Sequence, residues 1–178
     1  MNRTINILLL LISTLSFSQN SSEFDIFQKI IDNEIGQGTL DNYLRCEKIK
    51  TFFDQNSFKE QTGLQVPENI LDELEKNALE SVDGIWNPEL IKELNYGSDF
   101  IKSEQCLTLK DAKNIFNKSG KKHSIILLSQ PIFDSKFEHC VISISYSKYP
   151  GSAYGQTYFL KKVYGIWTVI VEYEQWIT

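Results

Sequence analysis

Near Gly120 the chain changes its code, and that change limits what it can fold into. Beyond this point apolar and polar residues alternate with a period of two, which is the pattern of half-buried β-strands. Cys140, Ile142, Ile144 and Tyr146 alternate with Val141, Ser143 and Ser145. "KHSIILLS", "QTYFLKKV" and "IWTVIVEYEQWI" read as further strands. The last two are joined at Tyr164-Gly165, where a glycine supplies the positive φ that a tight hairpin wants. Pro131 and a polar turn near Asp134–Lys136 separate the earlier strands, and "KYPGSAYG" is a loop with Pro150-Gly151 at its tip. Four consecutive strands with short connections predict an antiparallel sheet, one face on helices and the other at least partly wet.

Before Gly120 the period is helical. Phe24, Phe27, Ile31 and Ile35 predict a first helix ending at Gly36. Tyr43, Cys46, Ile49 and Phe53 share one helical face and predict a second, followed by a linker, "SFKEQTGLQ". Pro67 and Glu68 open a third, with a stripe of Ile70, Leu71, Leu74, Ala78 and Val82 and a stop at Gly84. Asn87 and Pro88 open a short fourth that ends at Gly97, and Thr108 caps a fifth that ends at Gly120. The expected fold is α+β: N-terminal helices packed on a C-terminal antiparallel sheet of about four strands.

Residues 1–18 have the layout of a secretory signal peptide. Arg3 supplies the positive start, Ile5 to Phe17 the apolar core, and Ser16-Phe17-Ser18 the small residues before a cut ahead of Gln19. The apolar run is short of the ~18 residues that span a bilayer. The expectation is therefore a periplasmic or secreted protein with no membrane role after cleavage. The remaining residues, 19–178, suit a single domain, mainly helical over 19–120 and β-rich over 121–178.

Charge is divided along the same line. Residues 19–118 carry 19 acids and 11 bases, whereas residues 119–178 carry 4 acids and 6 bases. Without Arg3, 17 bases face 23 acids, a net charge of −6 that argues against a nucleic-acid partner. Three cysteines in an exported chain permit one disulfide. Cys140 sits in a strand pattern and is expected to be buried, which favours a Cys46–Cys106 bridge; three buried thiols are the alternative.

No motif assigns catalysis. There is no Gly-x-Ser-x-Gly elbow, no phosphate-cradling loop, no paired-cysteine or His-x-x-x-His metal spacing, and no cofactor or metal is expected. His139 and Cys140 are adjacent, so on a strand they point to opposite faces and do not form a nucleophile pair. His123 and His139 both lie near strand starts. Strand pairing can bring them together with Asp134 or Glu138, which outlines a small hydrolase-like site. Glu172 and Glu174, two residues apart, are expected on one strand face, where they serve either as paired carboxylates or as an acidic edge.

The aromatics carry the stronger signal, with 11 Phe, Tyr or Trp among the last 60 residues. Trp167, Val169, Val171 and Tyr173 are expected on one face, with Trp167 in the core. Tyr146, Tyr149, Tyr154 and Tyr158 cluster around the loop 146–158, where tyrosine buries large area at low entropic cost. Lys161 and Lys162 read as a solvated hairpin end. The leading functional expectation is a non-enzymatic binding module that takes a protein, peptide or glycan on this aromatic loop. Alternatives are a small hydrolase with a His/Glu pocket, or an inhibitor or immunity-type protein whose acidic helices meet a basic partner.

The segment from Ser129 to Trp167 resembles a pattern in uncharacterised small exported bacterial proteins. Its parts are Ser-x-Pro-aliphatic-Phe at Ser129 to Phe133, a small-residue loop at Gly151 to Gly155, and Leu160, Lys162, Gly165 and Trp167 in a Leu-x-Lys-x-x-Gly-x-Trp hairpin. Such hairpins also end cone-shaped domains similar to the nuclear-transport-factor-2 fold. The resemblance implies how the fold ends and implies no activity.

Overall fold

The computed structural model describes residues 23–34, 42–96, 106–149 and 151–178. The expected signal peptide, the helix end at Gly36, the stop at Gly97 and the loop tip at Pro150 lie outside the described residues. The class is α+β.

In chain order the elements are α1 (23–34), β1 (Asn42–Leu44), β2 (Glu47–Lys48), α2 (Gln55–Thr62), α3 (Glu68–Glu80), β3 (Gly84–Ile85), α4 (Pro88–Tyr96), α5 (Leu109–Ser119), β4 (His123–Leu128), β5 (Ile132–Phe133), β6 (His139–Tyr149), β7 (Ala153–Val163) and β8 (Ile166–Ile177). The main sheet has six strands in the order β1-β4-β6-β7-β8, with β5 also paired to β6. β4, β5, β6, β7 and β8 are antiparallel to their neighbours, whereas β1 joins β4 in parallel. The sheet is thus larger than four strands, and one edge comes from the N-terminal half of the chain.

That edge replaces an expected helix. The spacing of Tyr43, Cys46, Ile49 and Phe53 fits a helical face, but here tertiary pairing prevails over local periodicity. Tyr43 lies opposite Ile125, Arg45 bridges Leu107, and Ile49 bridges Ser129. The expected linker is instead α2. Asp54 accepts a hydrogen bond from the Ser57 N–H at 2.7 Å, and Gly63 closes the helix at φ 65°, the two end signals of a short helix. α3 stops at Ser81, three residues before Gly84, because the Ser81 hydroxyl and N–H both return to the Ala78 carbonyl; Val82 is therefore exposed.

Helices pack on both faces of the sheet, but they cover the second only in part. On the first face Ile126, Leu128, Ile142, Ile144 and Leu160 pack with Ile26, Phe27, Ile30 and Ile31 of α1 and Leu90, Ile91 and Leu94 of α4. On the second face Ile132, Val141, Phe159 and Tyr173 pack with Phe58 of α2 and Leu71, Leu74 and Ala78 of α3. Further along this face, Ala112 and Ile115 of α5 lie beside Tyr43, His123 and Ile125. Between these helices part of the second face stays open.

β8 changes faces as it runs. Trp167 and Val169 pack into the first cluster, but Val171 and Tyr173 pack into the second. The cause is a bulge: Phe159 pairs with Val171 and Leu160 with Val169, so Ile170 has no partner and the alternation inverts. The expected single face of Trp167, Val169, Val171 and Tyr173 is therefore split in two.

A Cys46–Cys106 disulfide joins the β1–β2 corner to the segment before α5, and Cys140 is a buried free thiol.

Candidate functional site

Three of the four tyrosines of the expected binding loop, Tyr146, Tyr154 and Tyr158, are buried or half-buried rather than an exposed patch. Tyr146 and Tyr158 are buried on the first face, and both hydroxyls donate to the buried Glu34 carboxylate of α1. Tyr146 does so at 2.6 Å. The Gln156 amide donates to the same carboxylate at 2.8 Å. Burial, and then the bond to Glu34, push both phenols well above their ordinary range. Tyr154 is half-buried and stacks on Tyr146 with centroids 4.8 Å apart. The Tyr149 backbone pairs with His123, and its side chain lies outside what the structure describes. The reason is register: even-numbered residues of β6 and β7 face α1, so their phenol tips serve a carboxylate that burial would otherwise leave unsolvated. This cluster fastens α1 to the sheet.

The alternative His/Glu site is not assembled either. His123 pairs with Tyr149 at one end of β6 and His139 begins the other end, about 30 Å away at about 3.3 Å per residue. His123 lies edge-on to Tyr43 beside α5, with ring centroids 5.4 Å apart. His139 is buried, stacks on Phe159 with centroids 5.8 Å apart, and places Nδ1 3.1 Å from Asp134 Oδ2. The other Asp134 oxygen accepts the Glu138 and His139 N–H groups at 2.8 and 2.9 Å. Burial raises the Asp134 carboxyl, but these hydrogen bonds outweigh it and the net direction is down. Asp134 thus closes the β5–β6 turn and orients His139. Glu172 and Glu174 also part company: Glu172 accepts from Asn33 of α1 at 2.8 Å on the first face, and Glu174 lies on the second. Among the described residues no group of three His, Cys, Asp or Glu side chains converges as a metal site.

The open part of the second face is a different site. A cleft of about 180 Å³ is lined by Ile49, Lys50, Phe52, Leu127, Ser143, Ser145, Thr157, Glu174 and Trp176, with the Ile144 main chain behind. Three features build it. First, a second bulge in β8 sets Glu174 and Gln175 opposite Gln156, between the pairs Thr157–Tyr173 and Gly155–Trp176. Glu174 adopts φ 52° there, the left-handed region. Unbulged alternation would send Glu174 and Trp176 to the Glu172 face; the bulge turns both into the cleft. Second, Gly155 lets the Trp176 indole lie on the β7 backbone. A Cβ at Gly155 would stand 2.7 Å from Trp176 Cζ2 and 2.8 Å from the Ile144 carbonyl oxygen. Third, the polar groups are linked: Thr157 Oγ1 lies 2.9 Å from Ser143 Oγ and donates to Glu174 Oε2 at 3.2 Å.

The cleft keeps large apolar surface in water. Phe52 is 66% and Trp176 42% exposed, whereas Trp86 and Trp167 are core residues. Lys50 Nζ lies 4.7 Å from the Phe52 ring centroid, so one cation is already lodged at the rim. Desolvation raises the Glu174 carboxyl; the Thr157 hydroxyl lowers it and the Asp54 charge raises it further. The sequence reads Gly155 as the end of a loop, whereas it lies within β7, and the bulge brings it against Trp176 near the chain end. Among known proteins, no family model, no curated protein and no solved structure matches the chain.

Proposed function

We propose that this chain is an exported, non-enzymatic binding module whose ligand enters the cleft between Phe52 and Trp176. The observation that carries the reading is the Glu174 bulge, which commits a carboxylate and an exposed indole to the same cleft at the cost of a left-handed, non-glycine backbone. Backbone strain of this kind clusters at functional sites; the other two non-glycine cases among the described residues, Phe137 and Tyr164, lie in turns, whereas Glu174 lies within a strand. Exposed aromatics flanking linked polar groups are a common way to hold a ligand without reacting with it. Among the described residues lining the cleft, Glu174 is the one carboxylate and none is a histidine; Glu172 faces α1, and Asp54 acts on Glu174 from outside the lining. The Cys46–Cys106 bridge supports export, since disulfides persist in oxidising compartments. The aromatic-loop expectation is kept in kind and moved in place, from Tyr146, Tyr149, Tyr154 and Tyr158 to Phe52 and Trp176.

A thermal-shift panel of soluble saccharides, short peptides and amino acids tests the cleft. The expected result is a rise in Tm with at least one compound for the wild-type protein and none for Trp176→Ala. Equal shifts in both proteins place the site elsewhere. Conversion of the compound, seen by mass spectrometry, replaces binding with catalysis.

A further inference from the structure

We infer that the cleft takes a neutral sugar ring, stacked on Trp176 and hydrogen-bonded through its hydroxyls to Glu174, Thr157 and Ser143, an inference that rests on the cleft being the binding site. Its size sets the first bound. Pockets for drug-sized ligands run to roughly 300–1,000 Å³, whereas this cleft holds about 180 Å³. It fits one ring-sized group, free or as a unit of a longer chain.

The disposition of polar and apolar surface sets the second bound. The Trp176 indole is a flat apolar plate with one side against Gly155, and it remains 42% exposed. Around it stand hydroxyls and one carboxylate, with Ser143, Thr157 and Glu174 already in a connected chain. A pyranose has the complementary form: C–H bonds on its faces and hydroxyls around its rim. A carboxylate accepting two such hydroxyls makes charge-assisted bonds, stronger than neutral ones. Desolvation raises the Glu174 carboxyl, which fits a group lacking its full set of donors until a ligand brings them.

Charge separates this ligand from its competitors. Glu174 is negative and Lys50 positive, and both line the cleft. An anion meets Glu174, and a cation meets Lys50, already placed over Phe52; a neutral polyol meets neither penalty. An extended peptide is favoured at a sheet edge, where main-chain groups are unpaired. The cleft lies on the sheet face over β4, β6 and β7, which are paired on both sides; the edge strand β8 enters it through the Glu174 and Trp176 side chains.

The probes are neutral hexasaccharides of glucose, N-acetylglucosamine, xylose and mannose, with oligogalacturonate, tri-lysine and tri-alanine as charged and peptide controls. Trp176 is the exposed tryptophan, so its emission reports occupancy against the buried Trp86 and Trp167. The expected result is a blue shift and a Kd below about 1 mM with at least one neutral saccharide. Trp176→Ala weakens this at least tenfold, Trp176→Phe restores part of it, and Glu174→Gln weakens it about tenfold, with all variants folded by circular dichroism. If only a control binds, and does so through Trp176, the sugar class is wrong while the cleft stands. If a saccharide binds equally to Trp176→Ala and Glu174→Gln, the cleft is wrong. If no probe binds, the sugar assignment is overturned.

Discussion

At the scale of single residues, two glutamates against opposite faces of the sheet, one from α1 and one from β8, show how differently a buried or half-buried carboxylate can be used. Glu34 is buried and receives three donors, from Tyr146, Tyr158 and Gln156. Glu174 is half-buried and receives one side-chain donor, from Thr157, with its backbone at φ 52°. The first has its acceptor oxygens filled; the second carries an unmet cost. Its pH dependence follows from sign. A carboxyl raised in the folded state binds its proton more tightly there than in the unfolded chain. Its stabilising contribution is full below the unfolded value, about pH 4.3, and is lost as pH rises through the folded value. Removing the titration by Glu174→Gln is therefore expected to raise Tm at pH 7 and to change it little near pH 3.5. Thermal melts of both proteins across that range check this; equal Tm differences at the two ends show that Glu174 is not desolvated by the fold. Neither role was legible in the sequence. Glu34 reads as one more acid in an acidic helix, and its donors lie more than a hundred positions away. Tyr146 and Tyr158 read as binding residues because tyrosine suits both jobs, and only the register of β6 on β7 tells them apart.

At the scale of elements, ends and turns were more legible than faces. Thr108 accepts from the Asp111 N–H as the expected cap of α5, its own N–H donates to the Asp111 carboxylate in return, and Gly120 closes the helix at φ 66°. The same grammar marks α2 through Asp54 and Gly63, although no apolar stripe drew attention to so short a helix. The β7–β8 turn is correctly placed but poorly furnished. Tyr164 and Gly165 take φ 53° and 82°, the conformation of a two-residue turn with both centres left-handed. Asparagine is favoured at its first position, whereas tyrosine pays the Cβ clash, and Tyr164 is fully exposed with no packing to offset it. Tyr164→Asn is expected to stabilise the protein by about 1 kcal/mol, a rise in Tm of roughly 3 °C for a chain of this size. A fall in Tm would show that the exposed ring serves the hairpin in some other way. The bulges at Ile170 and at Glu174-Gln175 leave no mark in the sequence, because period-two alternation reads unbroken across them. An inserted residue inverts every later face while leaving local composition unchanged.

At the scale of the whole molecule, the two codes on either side of Gly120 do not map onto two separate layers. The β-rich half builds most of the sheet and the helical half covers it, as periodicity implies. But the helical half also donates β1, and the chain between β1 and α5 passes helices to both faces: α2 and α3 to the second, α4 to the first. What holds that wrap closed is the corner where Cys46 N–H donates to Leu107 at 3.1 Å, Leu107 N–H donates to Leu44 at 2.7 Å, and Cys46 is bonded to Cys106. The bridge spans a separation of 60 residues. Closing a loop of that length in the unfolded chain corresponds to about 4 kcal/mol on the chain-entropy view. Replacing both cysteines by serine is expected to lower the urea-unfolding free energy by about that amount, with the transition still cooperative, because the two packed clusters remain. The slope of the transition adds a second reading. Without the bridge the unfolded chain is less compact and exposes more surface, so the slope rises along with the loss in stability. A loss below about 1 kcal/mol, with an unchanged slope, would mean that the β1 edge and its backbone hydrogen bonds keep the loop closed even in the denatured chain. The wrap would then be a property of early sheet pairing rather than of the covalent link.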